Sequence, residues 1–276
     1  MSTDRSRSVF ALNDRAANYG DGCFTTIALS SGRLQLIEYH LVRLQRDCQR
    51  LEIPFCDFSK LRSVLNAVAA EHRNGRHVVK VLISRGEGGR GYSPVGCEPP
   101  NFYLSIHSYP LHYEDWQNNG ISLGLASLRL AKQPLLAGIK HLNRLEQVLI
   151  KRELIEQNLD DLLVLDTDDR VIECSAANVF WYSKQSGWCT PKIEYSGVAG
   201  VMREAIIAFM QAHTVSLQVS QYCIDSFIAA DAVIVCNSLM GIISVTRIQI
   251  ESQTVRFQPK AVSRFSTDFN SWLLTQ

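Results

Sequence analysis

The most regular pattern begins near the amino terminus. Residues 23–29, Cys-Phe-Thr-Thr-Ile-Ala-Leu, carry β-favouring side chains and predict a strand, and Ser30-Ser31-Gly32-Arg33 predicts a hairpin turn into residues 34–37. A shorter first strand is predicted at residues 9–12, ended by Asn13-Asp14. Leu41, Leu44, Cys48 and Leu51 recur at helical spacing, and Pro54 closes that helix. Asp57 predicts the cap of a second helix that carries Leu61, Val64, Leu65 and Val68 and stops at Asn74-Gly75. Two further strands are predicted at residues 78–83 and 101–107, separated by a glycine-rich run.

Residues 109–119 are aromatic, polar and turn-rich, and the patterns on either side are complete without them, which predicts a linker. Beyond it come a strand at 121–130, an amphipathic helix at 143–157, and a hairpin of 162–166 with 171–174 around Thr167-Asp168-Asp169-Arg170. A strand at 179–182, a helix at 201–212 and a buried strand at 232–236 follow. Strands and helices mix without strict alternation, so the fold class expected is α+β. The domains expected are 1–108, smaller and N-terminal, and 120–276, larger and C-terminal, joined by the linker.

Composition narrows the function classes. The chain has 276 residues, 46% hydrophobic and 20% charged, ample for a buried core and unlike a disordered chain. Lysine and arginine number 28 against 27 acidic residues, a net charge of +1, which argues against a nucleic-acid-binding surface but permits a local anion pocket. Eight cysteines lie scattered without a C-x-x-C pair, and the histidines form no H-x-x-x-H pair, so neither a disulfide framework nor a metal site is expected. The amino terminus leads into no apolar signal-like stretch, and the most apolar window, residues 232–245, is too short to cross a bilayer. A cytoplasmic protein with reduced thiols and no membrane partner is the expectation.

Gly86-Glu87-Gly88-Gly89-Arg90-Gly91 invites a phosphate-loop reading, but no Gly-Lys-Ser/Thr follows, and Tyr92-Ser93-Pro94 does not start a helix. A tight turn is the simpler reading, with Arg90 and Tyr92 on a loop able to reach an anionic ligand. Lys140, in Gly138-Ile139-Lys140-His141, stands at the expected mouth of a helix after an apolar stretch. It is either a snorkelling surface lysine or a desolvated amine suited to Schiff-base chemistry. Glu173, between Ile172 and Cys174, is either an edge charge or the partner of a buried cation. The run from Gly197 to Gly200 opens a helix, which presents free N–H groups to a phosphate or is an ordinary helix start. Arg43 is a solvated helix charge or an anion ligand, and Asn237-Ser238 interrupts an apolar run.

Taken in order, these segments resemble the fold-type IV pyridoxal-phosphate enzymes: branched-chain aminotransferases, D-amino-acid aminotransferases and aminodeoxychorismate lyases. The resemblance runs from about Asp14 to Val245. It implies a two-domain fold, a smaller N-terminal α/β domain and a larger C-terminal domain with a barrel-like β core, and pyridoxal 5'-phosphate as cofactor. It implies that Lys140 carries the cofactor as a Schiff base and that Glu173 holds the pyridine nitrogen protonated. Arg43, the N–H groups of Val201 and Met202, and Ser238 would cup the phosphate, with Asn178 supporting Glu173. A homodimer, with the active site between domains and near the dimer interface, is also implied.

Three features favour the lyase branch. Phe24 is followed by Thr25-Thr26 where branched-chain aminotransferases carry Glu-Gly, and Leu145 stands where they carry a tyrosine. Lys80, Arg90 and Tyr92 bring more cationic and phenolic groups than one amino-acid carboxylate requires. The runs from Gly20 to Thr26, Ile83 to Gly86 and Gly138 to Leu149 are similar to aminodeoxychorismate lyases. That resemblance implies elimination of pyruvate from a substrate with two carboxylates, leaving p-aminobenzoate for folate synthesis. Lys140 would be the base and Thr26 a proton relay to the leaving oxygen, while Tyr19, Lys80, Arg90, Tyr92 and Asn237 would orient the substrate. The alternative is an aminotransferase for D- or branched-chain amino acids, with the same cofactor residues.

Overall fold

The computed structural model describes residues 11–276, so Val9 and Phe10 of the expected first strand lie outside the described residues; Leu12 and Asn13 form a turn. The chain divides into two compact units, one ending at Ser108 and reclaiming Lys140–Asn143, the other comprising Tyr109–Ile139 and Arg144–Gln276. The segment 109–119, expected as a linker, belongs to the second unit, and Lys140 groups with the first.

In the first unit, helix α1 (Arg15–Tyr19) leads into strand β1 (Gly22–Ser30), then β2 (Arg33–Leu34), helices α2 (Ile37–Arg50) and α3 (Phe58–Glu71), and strands β3 (Arg76–Ser84) and β4 (Asn101–Ser108). The sheet order is β2-β1-β3-β4, antiparallel throughout. Strand β1 alternates: Cys23, Thr25, Ile27 and Leu29 are buried, whereas Phe24, Thr26 and Ala28 point to the opposite face. Val79, Val81 and Ile83 of β3 join the buried face, and Leu41, Leu44 and Cys48 of α2 with Leu61, Leu65 and Ala69 of α3 close over it. Full burial of an aliphatic side chain such as Leu44 or Leu65 stabilises the fold by about 1.5–3 kcal/mol. The second hairpin strand is shorter than expected because Leu36 is left-handed, φ +53°, and turns the chain directly into α2.

The second unit begins with helix α4 (His112–Asn119) and strand β5 (Ile121–Leu125), followed by α5 (Leu145–Gln157), β6 (Asp161–Leu165), β7 (Val171–Cys174), β8 (Asn178–Ser183) and β9 (Gly187–Pro191). Helix α6 (Val201–Ala212), β10 (Leu217–Ser220), α7 (Ile224–Ile228), β11 (Ala232–Asn237), β12 (Gly241–Ile250), β13 (Gln253–Arg256) and α8 (Ser263–Leu273) complete it. The sheet runs β10-β9-β8-β11-β12-β5-β6-β7, with β13 beside β12. Strand β7, at one end of this path, lies against β8 and β9 near the other, so the sheet curls back on itself. Leu123, Leu163, Val171, Val179, Trp181, Val235 and Val245, from six different strands, fill the interior as one cluster.

The expected strand at 121–130 stops at Leu125, because the N–H and hydroxyl of Ser127 turn aside to Glu153 of α5. In α4, Tyr113 and Trp116 pack against the interior cluster of the curled sheet, a tertiary contact that overrides the turn-like composition. The mixed α+β class and the fold-type IV architecture are those expected. Among the described residues no helix is long and apolar enough to cross a membrane.

Candidate active site

In the first unit, Lys140 is not at the mouth of a helix. The N–H of Phe24 donates to the Lys140 carbonyl at 2.9 Å, and the N–H of Leu142 donates to the Gly22 carbonyl at 3.1 Å. A β-bridge between Cys23 and His141 completes the seam, so residues 140–142 lie as an extra edge on the start of β1, and α5 begins only at Leu145. Sequence periodicity shows nothing of such a short pairing, because one bridge has no repeat to detect.

That seam aims the side chain. The Lys140 Nζ lies 4.5 Å from the centre of the Phe24 ring, and the Lys80 Nζ lies 4.9 Å from the same centre. Both are cation–π distances. Thr26 is two residues beyond Phe24 on the same face of β1 and pairs across the sheet with Lys80. Lys140, Thr26 and Lys80 therefore gather around one aromatic ring on the face turned away from α2 and α3.

Beneath them α2 carries a buried polar stripe, His40, Arg43 and Asp47. Arg43 Nη2 donates to Thr25 Oγ1, which also hydrogen-bonds His40 Nδ1 at 2.6 Å. Burial, with the Arg43 and Lys140 charges, holds His40 well below the ordinary histidine range, so its ring is neutral. Asp47 Oδ2 accepts the Lys140 N–H at 3.1 Å. Burial raises the Asp47 pKa, although that hydrogen bond and Arg43, Arg46 and Arg50 oppose the rise. Tyr19 and Tyr92 have their rings 5.4 Å apart, and Arg90 and Tyr92 are exposed on the β3–β4 loop. Sequence reasoning missed Phe24, His40 and Asp47; the stripe at i, i+3 and i+7 on α2 was the available signal for the last two.

In the second unit, Glu173 on β7 is buried, and its Oε2 accepts the N–H of Val198 at 2.9 Å. Asn178, at the start of β8, donates through Nδ2 to the Val198 carbonyl at 2.8 Å. Gly138 pairs with the same segment: its N–H donates to Gly197 O at 2.9 Å, and its carbonyl accepts from Ala199 at 3.1 Å. Gly197 has φ +83°, and a Cβ at Gly200 would stand 2.1 Å from Asn178 Oδ1. This clamped turn runs straight into α6, whose N-cap Gly200 offers no side-chain cap. Glu204 N–H makes the first intrahelical bond, to Gly200 O, so the N–H groups of Val201 and Met202 have no acceptor within the helix.

Asn237 ends β11, and Ser238 opens the three-residue turn into β12. The Asn237 side chain accepts from the N–H groups of Leu239 and Met240, both at 2.9 Å, and donates to Ala176 O at 3.1 Å. Most of its hydrogen-bonding capacity thus holds the turn.

The chain belongs to the class IV aminotransferases, whose family pattern matches residues 22–248. It is 41% identical to the aminodeoxychorismate lyase of Vibrio harveyi over 247 residues, 89% of this chain and 90% of that protein. The crystal structure of 4-amino-4-deoxychorismate lyase from Pseudomonas aeruginosa superposes with a TM-score of 0.85 at 35% identity, covering 96% of this chain and 94% of the other. A hypothetical aminotransferase from Mycobacterium tuberculosis in its PLP-bound form shares the fold, with a TM-score of 0.84 at 18% identity over 98% and 95% of the two chains.

Proposed function

We propose that this chain is an aminodeoxychorismate lyase, which converts 4-amino-4-deoxychorismate into p-aminobenzoate and pyruvate with pyridoxal 5'-phosphate as cofactor. The observation that carries the reading is the gathering of Lys140, Thr26 and Lys80 about Phe24, an arrangement suited to a base, a hydroxyl relay and a carboxylate-binding cation. The 41% identity to a lyase along nearly the whole length of both chains supports it.

The donor set fits the cofactor. The turn from Gly197 to Gly200, where a Cβ would collide with Ile172 or Asn178, leads into α6, whose Val201 and Met202 N–H groups have no acceptor within the helix and suit a phosphate. Val201 and Met202 would hold the phosphate, with Arg43 and Ser238 as further ligands. Glu173 would face the pyridine nitrogen, its orientation fixed by the Val198 N–H, and Asn178 fixes the same turn from its other side. Bound pyridoxal phosphate supplies an electron sink. Lys140 accepts the proton from the ring carbon bearing the substrate amine. Thr26 passes a proton to the enolpyruvyl oxygen as it departs; a hydroxyl is too weak an acid to act without a hydrogen-bonded partner. Lys80, Arg90, Tyr92, Tyr19 and Asn237 orient the carboxylates.

The protein works in the cytoplasm, in folate biosynthesis, as a homodimer. Leu145, Val148 and Leu149 form one exposed face of α5, and Leu135, just upstream, is 78% exposed, an apolar surface suited to a second copy. The test is competition between two reactions. The lyase reading requires pyruvate from 4-amino-4-deoxychorismate and negligible conversion of the cofactor to its amine form by D-alanine or leucine. Rapid conversion by those amino acids, with no pyruvate from the first substrate, would establish an aminotransferase instead.

A further inference from the structure

The β3–β4 loop carrying Arg90 and Tyr92 is exposed, rich in glycine and sixteen residues long by its bounds at Ser84 and Asn101, features of a mobile segment. Its backbone is nonetheless tied to one buried side chain. Arg15, 4% exposed, donates through Nη1 to the carbonyls of Gly91 and Ser93, each at 3.1 Å, and through Nη2 to that of Tyr92 at 3.1 Å. Three successive carbonyls converge on one guanidinium, which no other side chain has the planar donor fork to do.

The guanidinium is itself fixed. Its Nε donates to Asp21 Oδ2 at 2.8 Å, and its Cζ lies 5.0 Å from the centre of the Tyr19 ring. Asp21 also takes Arg85 Nε at 2.8 Å; burial acts to raise its pKa, but the two arginines hold it below the ordinary carboxylate range. A second tie lies at the loop's start. The Arg15 N–H donates to Gly86 O at 3.0 Å, and buried Asp14 takes the hydroxyls of Ser84 and Tyr103. Gly89 completes the packing: at φ +71°, a Cβ there would stand 2.3 Å from Ser93 O and 2.9 Å from Arg15 Nη1.

We infer that Arg15 is a positioning residue for substrate recognition: it fixes the backbone of residues 91–93 so that Arg90 and Tyr92 meet the substrate already ordered. This rests on the proposed lyase reading, which makes those two side chains carboxylate-binding groups. A loop ordered beforehand does not charge its conformational entropy to binding, so its release weakens substrate affinity while leaving the chemical step intact.

The test uses cofactor-loaded wild type, Arg15→Gln and Arg15→Lys. The first readout is tryptic cleavage at the Arg90–Gly91 bond, whose carbonyl accepts the Ser93 N–H in the tied loop at 3.2 Å. Cleavage needs local opening, so both variants should be cut roughly tenfold faster or more. The second readout is steady-state pyruvate release, with KM raised about tenfold or more and kcat within about threefold of wild type, as lost ground-state binding requires. Arg15→Lys keeps the charge but lacks the fork, so its failure to restore KM supports the geometry, whereas full restoration overturns it. Unchanged cleavage or unchanged KM also overturns the inference, as does loss of kcat together with cofactor. Gly89→Ala keeps Arg15 in the chain but presses a Cβ against Ser93 O and Arg15 Nη1, and should raise KM and cleavage alike if the Arg15 variants do not fold. If wild type releases no pyruvate, the lyase reading and the recognition role fail together, and the cleavage rates alone decide whether Arg15 holds the loop.

Discussion

Thr26→Val separates a proton-relay residue from a structural one. Valine keeps the β-branch and strand preference of threonine, so β1 should retain its register with Lys80. Thr26 is only half-buried, and each hydrogen bond lost with its hydroxyl costs about 0.5–1.5 kcal/mol of stability. A positioned proton donor contributes about 10²–10⁴ in rate, which is about 2.7–5.4 kcal/mol of barrier at 1.36 kcal/mol per factor of ten. The two effects differ enough to be told apart. Pyruvate release, followed by coupling to NADH oxidation, should fall by about a hundredfold or more, while the thermal midpoint moves by a few degrees and the cofactor spectrum still responds to substrate. Thr26→Ser, which keeps the hydroxyl, should recover most of the rate. Pyruvate release within threefold of wild type in Thr26→Val would refute the relay.

Other parts of the site give separate tests. Glu173→Gln should fold normally, since an amide oxygen can still accept the Val198 N–H, yet slow turnover strongly because it cannot hold a pyridine nitrogen protonated; an unchanged rate would make Glu173 only a turn anchor. Gly200→Ala should weaken cofactor binding and lower the melting temperature, because its Cβ would meet Asn178 Oδ1 at 2.1 Å; normal affinity by titration of the apoprotein would contradict the cradle. His40 has a folded-state pKa depressed by burial, so below its unfolded value of 6.5 the unfolded chain binds more protons and stability falls with falling pH. His40→Gln should flatten the slope of stability against pH just below 6.5, and an identical slope in urea titrations would exclude His40 as its source.

Long elements were readable from the sequence: β1 and β3 by their β-favouring side chains, α2 and α3 by the helical spacing of their apolar residues. The elements it hid were short or governed by contacts distant in sequence. Helix α1 is five residues long, too short to show a period, yet it supplies Arg15. Helix α4 reads as a turn because Asn118-Asn119-Gly120 follows its aromatic residues, but that glycine, at φ +71°, caps the helix. The seat of Lys140 on β1 is a pairing across more than a hundred residues of chain, which local propensity does not encode. The candidate residues emerged as isolated signals that a family resemblance ordered; the structure adds what lies beside each, including Phe24 and Asp47.

A lyase needs no amino acceptor, and product stoichiometry shows whether this protein needs one. Purified protein is mixed with 4-amino-4-deoxychorismate in the absence of any keto acid, and pyruvate and p-aminobenzoate are quantified over time. Equal amounts of both products are expected over many turnovers, and none from Lys140→Ala under the same conditions. A single turnover that stops with the cofactor in its amine form, or sustained activity in Lys140→Ala, would contradict the lyase reading.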